Sequence, residues 1–169
     1  MPELKLPFGP PPKGLHQRLP DWSARLAALV NTNARRPYVH DRFDCIAFAQ
    51  EAVRTITGVT LLPGVELPSG GWLSCAKFLI RYGLDDLEEL AVAALGQPRG
   101  RPDESMSGDL VSWEISGEFH LAVRAGDEAV TTSDTGLMVI SRTRMSVSGS
   151  PASRIISTPQ WISAWAVGR

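Results

Sequence analysis

The sequence is poor in cysteine and histidine, with two cysteines and three histidines in 169 residues. Cys45 and Cys75 are too few to cross-link a disulfide-rich secreted domain, and neither belongs to a Cys-x-x-Cys pair. The histidines, His16, His40 and His120, are scattered along the chain, so their spacing does not indicate a multi-histidine metal site. Disulfide frameworks and metal centres are therefore disfavoured.

The sequence also lacks an excess of charge of one sign and any long apolar run. Seventeen basic residues against 18 acidic ones give a formal net charge of -1, which produces no field to attract nucleic acid or an anionic membrane. The N-terminal residues do not have the apolar segment of a signal peptide, and no window reaches the length of a membrane span. We expect a protein made in the cytoplasm, with no nucleic-acid partner and no membrane insertion.

What is present is the composition of one globular domain, with 43% hydrophobic and 21% charged residues. Residues 1–20 stand apart because six prolines disfavour a helix there and favour extended conformations. We predict an N-terminal arm over residues 1–20, lying on the domain or on a partner, and a single domain over residues 21–169. The prolines of the arm are Pro2, Pro7, Pro10, Pro11, Pro12 and Pro20.

Four helices are predicted in the first half of the domain. Asp21 is a candidate N-cap for the first helix, and Asp85 with Glu88 three residues later has the form of a capping box for the fourth. The second helix is apolar on most sides, which indicates a central, buried position. The predicted helices run from Trp22 to about Asn31–Asn33, from Asp44 or Cys45 to about Thr57, from Trp72 to Tyr82, and from Asp85 to Leu95.

Beyond residue 109 the pattern changes to β-branched and alternating, with a hairpin turn predicted at residues 125–127. Helices followed by short antiparallel strands are typical of an α+β fold. Asp109 is predicted to begin the first strand in a structural role. The predicted strands cover residues 109–116, 118–126, 128–133, 136–144 and 161–167.

Cys45 is the leading candidate for a catalytic residue. It lies at the predicted start of the second helix, where free backbone N–H groups and the helix dipole stabilise a thiolate. The neighbouring Asp44 can cap the helix, yet its charge opposes thiolate formation, so a positive partner such as a histidine is required. The alternative is that Cys45 is a small buried side chain, as free cysteines commonly are, and Cys75 is assigned to the core.

His120 is the candidate general base. Strand alternation puts His120, Ala122 and Arg124 on one face and Phe119 and Leu121 on the other. If its strand packs against the central helix, His120 could exchange a proton with Cys45. The alternative is a partly exposed strand histidine with no chemical role.

Four short motifs, in this order, resemble those of the NlpC-type cysteine peptidases of the papain-like fold. They are Pro37-Tyr38-Val39, Phe43-Asp44-Cys45, Gly108-Asp109-Leu110-Val111 and His120-Leu121-Ala122-Val123. The segment AVRTITG, the pair Gly136-Leu137 and the closing AWAV are similar to the small NlpC-type proteins encoded among the tail genes of tailed bacteriophages. The resemblance covers residues 20 to 169.

The resemblance implies a function and a site. Cys45 corresponds to the nucleophile, His120 to the base and Tyr38 to the tyrosine at the oxyanion site, with Asp44 beside it. Thr132, with Thr131, Ser133 and Asp134 beside it, stands near the position of the third residue, which orients the histidine. Such proteins hydrolyse amides in the peptide stems of peptidoglycan without a metal or organic cofactor. A virion tail location follows, with residues 1–20 docked on a tail hub or tail-tip protein.

Several departures from the family pattern keep other functions open. The glycine-rich segment expected after Tyr38 is replaced by His40-Asp41-Arg42, and threonine at position 132 orients a histidine weakly. Phage-tail relatives can lose activity and persist as structural parts of the tail tip or of tail assembly. An intracellular amidase or acyltransferase using the same cysteine and histidine is a third alternative.

Overall fold

The computed structural model describes most of the predicted domain. The described residues are 8–9, 11–13, 15, 17–36, 44–68, 71–98, 102–115, 118–133, 136–140, 145–147 and 160–167.

Four α-helices form the first half of the chain, as the sequence predicts. They are α1 (Trp22–Asn33), α2 (Cys45–Thr57), α3 (Gly71–Tyr82) and α4 (Leu87–Leu95), followed by a short 3-10 helix at Pro102–Glu104. The bounds of α2 agree with the predicted ones, and Gly58 ends the helix in the left-handed conformation with φ 76°. None of these helices combines the length and hydropathy of a membrane span within the described residues.

The two predicted helix caps have different outcomes. Asp21 is the N-cap residue of α1, as predicted, but its side chain makes no cap hydrogen bond, and its carboxylate pairs with Arg25 one turn later at 2.8 Å. The cap of α4 is Asp86 rather than Asp85, and its Oδ1 accepts the backbone N–H of Glu89 at 2.9 Å. The helix therefore begins two residues later than predicted, and the Glu89 carboxylate instead accepts the backbone N–H of Asp85.

The second half of the chain is one antiparallel sheet of six strands in the order β5-β4-β3-β2-β1-β6. The β1–β6 ladder shifts register after Ser112 because Ile162 is an extra residue, which forms a bulge. The strands are β1 (Leu110–Ile115), β2 (Glu118–Ala125), β3 (Glu128–Ser133), β4 (Gly136–Ile140), β5 (Met145–Val147) and β6 (Gln160–Trp165).

One strand was not predicted from the sequence. Residues 136–144 read as a single strand, but β4 ends at Ile140, and β5 pairs back onto it through Met138↔Val147 and Ile140↔Met145. The segment SRTR between them contains neither glycine nor an Asn-Gly pair, so the usual signal for a hairpin is missing.

The chain is an α+β domain in which helices pack on one face of the sheet. Leu110, Leu121, Val123 and Trp165 point to this helix-facing side and join the main core cluster with α2 and α4. Alternate strand residues point to the opposite face, where they form a second cluster that includes Trp113. The predicted facing of Leu121 away from His120 and Ala122 is confirmed.

The described part of the N-terminal arm packs on the domain itself. Phe8 contacts the ring of Tyr82 at a centroid distance of 4.8 Å, and Leu15 is buried in the main core cluster. The backbone N–H of Leu19 donates to the carbonyl of Ile56 at 2.8 Å. The described residues between 8 and 20 form no helix or strand, and they contribute side chains to the core.

A buried ion pair ties this arm to two adjacent strands, at the start of β1 and just after the end of β6. Arg18 donates through Nη2 to Oδ1 of Asp109 at 3.1 Å and through Nε to the carbonyl of Val167 at 2.7 Å. The fully buried Asp109 carboxylate also accepts the backbone N–H groups of Met106 and Val167. Gly108 permits this packing, since a Cβ there would lie 3.2 Å from Arg18 Nη2.

We predict that Asp109→Ala lowers the free energy of unfolding by about 3 kcal/mol, because it leaves a mostly buried guanidinium without its carboxylate. Urea unfolding monitored by circular dichroism measures this change. Glu51→Ala is the control, because it removes only an exposed ion pair with Arg54. An equal decrease in the free energy of unfolding of the two variants would contradict a larger contribution from the buried ion pair.

Candidate active site

Cys45 is the first residue of α2, and Asp44 fixes the start of that helix. Asp44 has an extended backbone with φ -114° and ψ 179°, and its Oδ1 accepts the backbone N–H of Ala47 at 2.8 Å. This is a standard N-cap, in which a carboxylate satisfies a donor that the helix leaves free. The cap holds the Cys45 side chain beside the N-terminal N–H groups of α2.

Opposite Cys45, the ladder between β2 and β3 ends early. The pairs run from Ala125↔Glu128 to Val123↔Val130 and go no further, although both strands continue through described residues. The backbone of Arg124 bonds to β1 through Gly108 and Asp109. The backbone groups of successive residues in a strand point to opposite sides. Since those of Arg124 point toward β1, those of Val123 and Leu121 point toward β3. Continuing the β2–β3 register would make Thr132 the partner of Leu121.

Side chains take both of the Leu121 backbone groups that β3 leaves unpaired. Thr131 donates its hydroxyl to the Leu121 carbonyl at 2.7 Å. A backbone hydrogen bond from Leu121 reaches the Cys45 thiol. The sulfur therefore lies at the point where β2 and β3 separate. Cys45 and Leu121 are 76 positions apart in the sequence.

A family model described as a domain of unknown function (DUF6950) matches residues 17–148. The chain belongs to this family. The match contains α1 to α4 and β1 to β5, so Cys45 and Leu121 both lie inside the family domain, whereas β6 lies beyond it. No curated protein matches the chain.

The surroundings of Cys45 favour the neutral thiol. Burial, with the Asp44 carboxylate as the second cause, raises the pKa of Cys45 to about 12, although the bond from Leu121 lowers it. The pKa of Asp44 is itself raised by burial. The helix N-terminus favours the Cys45 thiolate and the Asp44 charge opposes it, as predicted. In this structure burial and the Asp44 carboxylate outweigh the helix N-terminus, and the thiol is neutral.

Cys75 is the second free thiol and lies close enough to affect Cys45. Both cysteines are half-buried and pack against the main core cluster, as predicted for Cys75. Burial raises the pKa of Cys75 to about 11, with the Asp44 carboxylate as the second cause. The two thiols and Asp44 thus form one electrostatic neighbourhood between α2 and α3.

His120 lies one residue from Leu121, but its ring is on the other face of the sheet. The imidazole stacks on the indole of Trp113, with 4.7 Å between centroids and 26° between planes. Trp113 is the register partner of His120 and belongs to the second cluster. His120 therefore precedes in sequence the residue whose backbone contacts the Cys45 thiol, but its ring points to the other face of the sheet. A direct contact between His120 and Cys45 stays a prediction.

The remaining predicted site residues have different outcomes. Thr132 is half-buried and lies on β3 across the gap from Leu121. Tyr38 and His40 fall outside the described residues, as does His16. Within the described part of the chain, no group of three or more His, Cys, Asp or Glu side chains could hold a metal ion.

Sequence reasoning did not predict the two hydrogen bonds that the Leu121 backbone makes at this site. The hydrogen bond to Cys45 comes from the backbone of Leu121, and a backbone donor leaves no residue-specific signal. Thr131, not Thr132, supplies the hydroxyl that caps the gap, and it is almost fully buried. Only knowledge of where the β2–β3 ladder ends separates the roles of these adjacent threonines.

We predict that neither thiol shows a depressed pKa in alkylation experiments on the free protein. With pKa values of about 12 for Cys45 and about 11 for Cys75, each rate should rise about tenfold per unit between about pH 7 and pH 9 without a plateau. Peptide mapping by mass spectrometry separates the two sites. A plateau for Cys45 below pH 8 would contradict the described environment.

We predict that Asp44→Asn raises the reactivity of Cys45 while the fold is retained. The amide oxygen still accepts from Ala47, and the charge that raises the thiol pKa is gone. Because the folded-state pKa of Asp44 is raised, its charge costs stability as pH rises through that pKa, so the advantage of Asn should grow between about pH 3 and pH 7.

Asp44→Ala is the matched control for this experiment. It removes both the charge and the cap, so it should lower the free energy of unfolding by about 1 kcal/mol at pH 7 relative to Asp44→Asn. Denaturant unfolding and alkylation rates are measured on all three proteins. Equal Cys45 rates in the wild type and Asp44→Asn would contradict an electrostatic effect of Asp44.

Proposed function

We propose that this chain is a papain-like, NlpC-type cysteine peptidase that cleaves peptide-stem amides of peptidoglycan. The observation that carries the proposal is the contact between Cys45, at the N-terminus of α2, and Leu121, the residue after His120. The contact brings the backbone of a histidine-bearing strand next to a helix-start cysteine, and a cysteine nucleophile requires such a base within hydrogen-bond reach. The substrate would bind where the β2–β3 ladder ends.

In the proposed reaction, Cys45 Sγ attacks the carbonyl carbon of the amide while its proton passes to His120. The N–H groups at the start of α2, with Tyr38, stabilise the oxyanion, and Asp44 keeps that helix start in place. His120 then gives the proton to the leaving amine, and a thioester to Cys45 remains. Water, deprotonated by His120, hydrolyses the thioester and restores the thiol.

A thiol with a pKa of about 12 must be deprotonated during attack rather than before it. His120 therefore acts as a general base and has to exchange its stack on Trp113 for a contact with Cys45. Thr132, across the gap, is the hydroxyl available to orient the imidazole in that position. Because side chains of a strand alternate between the two faces of a sheet, this exchange requires β2 itself to rearrange on substrate binding, and that rearrangement is part of the proposal.

We further propose that the protein is made in the host cytoplasm and becomes part of a phage tail. The support is the sequence resemblance to small proteins of tail gene clusters. Residues 1–20 would contact a tail hub or tail-tip protein. Since Phe8 and Leu15 pack on the domain, the hub would bind the outer side of this arm.

A second candidate function is a structural component of the tail tip or of tail assembly that has kept the fold without the chemistry. The neutral Cys45 thiol and the His120 ring on the opposite face of the sheet favour it. On this alternative Cys45 is a core residue and the gap between β2 and β3 binds no substrate.

The test is digestion of purified peptidoglycan by the wild type, Cys45→Ala and Cys75→Ala, with released fragments identified by mass spectrometry. We expect new stem-peptide termini with the wild type and with Cys75→Ala, and none with Cys45→Ala. Loss of activity in both variants, with folding intact, would argue against Cys45 as the unique nucleophile. Inactivity of all three proteins on several peptidoglycan types, with thiols reduced, would favour the structural role.

A further inference from the structure

The Leu121 backbone on β2 has two possible sets of hydrogen-bond partners. If the β2–β3 ladder continued by one pair, Leu121 would exchange both of its backbone hydrogen bonds with Thr132. In the structure its carbonyl instead accepts from the Thr131 hydroxyl, and its N–H donates to the Cys45 thiol. The choice between these two sets therefore decides whether a backbone donor reaches the sulfur.

The side chain of Thr131, rather than its backbone, reaches β2. Val130 pairs with Val123 and directs its backbone groups toward β2. Since bonding direction alternates along a strand, the backbone groups of Thr131 are directed toward β4, where Met138 is its partner. The hydroxyl points the other way and donates to the Leu121 carbonyl at 2.7 Å. It thus occupies the place of the backbone donor that a continued ladder would supply.

The bond between Thr131 and Leu121 is enclosed in the protein. Thr131 is 1% exposed and Leu121 is 4% exposed, so bulk water does not reach the bond to replace the hydroxyl. A buried carbonyl requires a donor, and the donor that the strand register offers to Leu121 is the Thr132 N–H. Pairing with Thr132 would also direct the Leu121 N–H to the Thr132 carbonyl and away from the sulfur.

The Leu121 N–H is a contact from the sheet to the Cys45 sulfur. Asp44 orients the helix start through the backbone N–H of Ala47, whereas the Leu121 bond acts on the sulfur itself and lowers the pKa of Cys45, because it favours the thiolate. Cys75 shares the burial and the Asp44 charge that raise the pKa of Cys45. Cys75 therefore serves as an internal reference for effects that come through Leu121.

We propose that Thr131 is a positioning residue for the Cys45 thiol. Its hydroxyl holds the Leu121 carbonyl, keeps the β2–β3 ladder open by one pair and so leaves the Leu121 N–H to the sulfur. Thr131 does not touch the thiol and acts through Leu121. This inference goes beyond the proposed function, because the thiol of the free protein is held in this way whether the chain is an enzyme or a structural component.

A double-mutant cycle read by amide NMR tests the coupling between Thr131 and Cys45. In the parent protein, Cys45→Ser should shift the Leu121 amide proton, because the acceptor of its hydrogen bond changes. In a Thr131→Val background the same replacement should leave the Leu121 amide nearly unshifted, because the N–H has turned to Thr132. An equal response of the Leu121 amide in the two backgrounds would overturn the proposal.

Alkylation by iodoacetamide gives a chemical readout of the same coupling. The rate at Cys45 is divided by the rate at Cys75 in the same molecule, with peptide mapping by mass spectrometry to separate the two sites. At about pH 8, Thr131→Val should lower this ratio about tenfold, the effect of one lost hydrogen bond to a charged group. An unchanged or higher ratio in Thr131→Val would contradict the positioning role.

Thr131→Ser is the conservative variant. It keeps the hydroxyl, so it should restore both the alkylation ratio and the response of the Leu121 amide to Cys45→Ser. Failure of Thr131→Ser to restore either readout would mean that the hydroxyl is not the group that acts, and the proposal would be rejected.

Thr57→Val is the matched control for the loss of a buried hydroxyl. Thr57 lies at the far end of α2, and its hydroxyl donates to the carbonyl of Val53 at 2.8 Å. This variant should lower the free energy of unfolding but leave the alkylation ratio and the Leu121 amide unchanged. A tenfold lower ratio in Thr57→Val as well would assign the effect to general destabilisation and overturn the role of Thr131.

A second variant keeps the test decisive if Thr131→Val does not fold. Thr131→Ala also removes the hydroxyl, without placing a methyl group against the Leu121 carbonyl, and circular dichroism checks the fold of each variant. The parent half of the cycle needs no change at Thr131. A Leu121 amide that does not respond to Cys45→Ser in the parent would overturn the proposal by itself, whatever the outcome of peptidoglycan digestion.

Discussion

The buried carboxylate of Asp109 holds together parts of the chain that are far apart in sequence. It accepts from Arg18 in the N-terminal arm, from the backbone of Val167 after β6, and from Met106 before β1. Burial of a charge is unfavourable unless every lone pair is used, and here the same ion pair fixes three segments at once. The ion pair and hydrogen bond of Arg18 therefore make the arm part of the folded domain.

The same requirement, that buried polar groups be bonded, explains the candidate site. When the β2–β3 ladder ends at Val123, the Leu121 backbone must find other partners, and a thiol and a hydroxyl replace the missing strand. Cys45 thus has a structural task that does not depend on any chemistry at its thiol.

The sequence predicted what depends on local patterns. Glycine at position 58 and an acidic cap at position 44 define α2, and strict alternation in β2 gives the facing of Leu121 and His120. It failed where two equivalent residues compete, as with Asp85 and Asp86 at the start of α4, because either carboxylate satisfies the pattern and tertiary packing decides. The stack of His120 on Trp113 was also out of reach, since it depends on pairing between strands.

Gly136 has a consequence for how the first helix is attached to the sheet. Its φ of 143° and missing side chain let the Ala34 carbonyl come so near that an added Cβ would lie 2.4 Å from that oxygen. The end of α1 is thus fixed against β4 by backbone alone, through the hydrogen bond from the N–H of Leu137 to the Ala34 carbonyl. Any larger residue at position 136 would separate the end of α1 from the sheet.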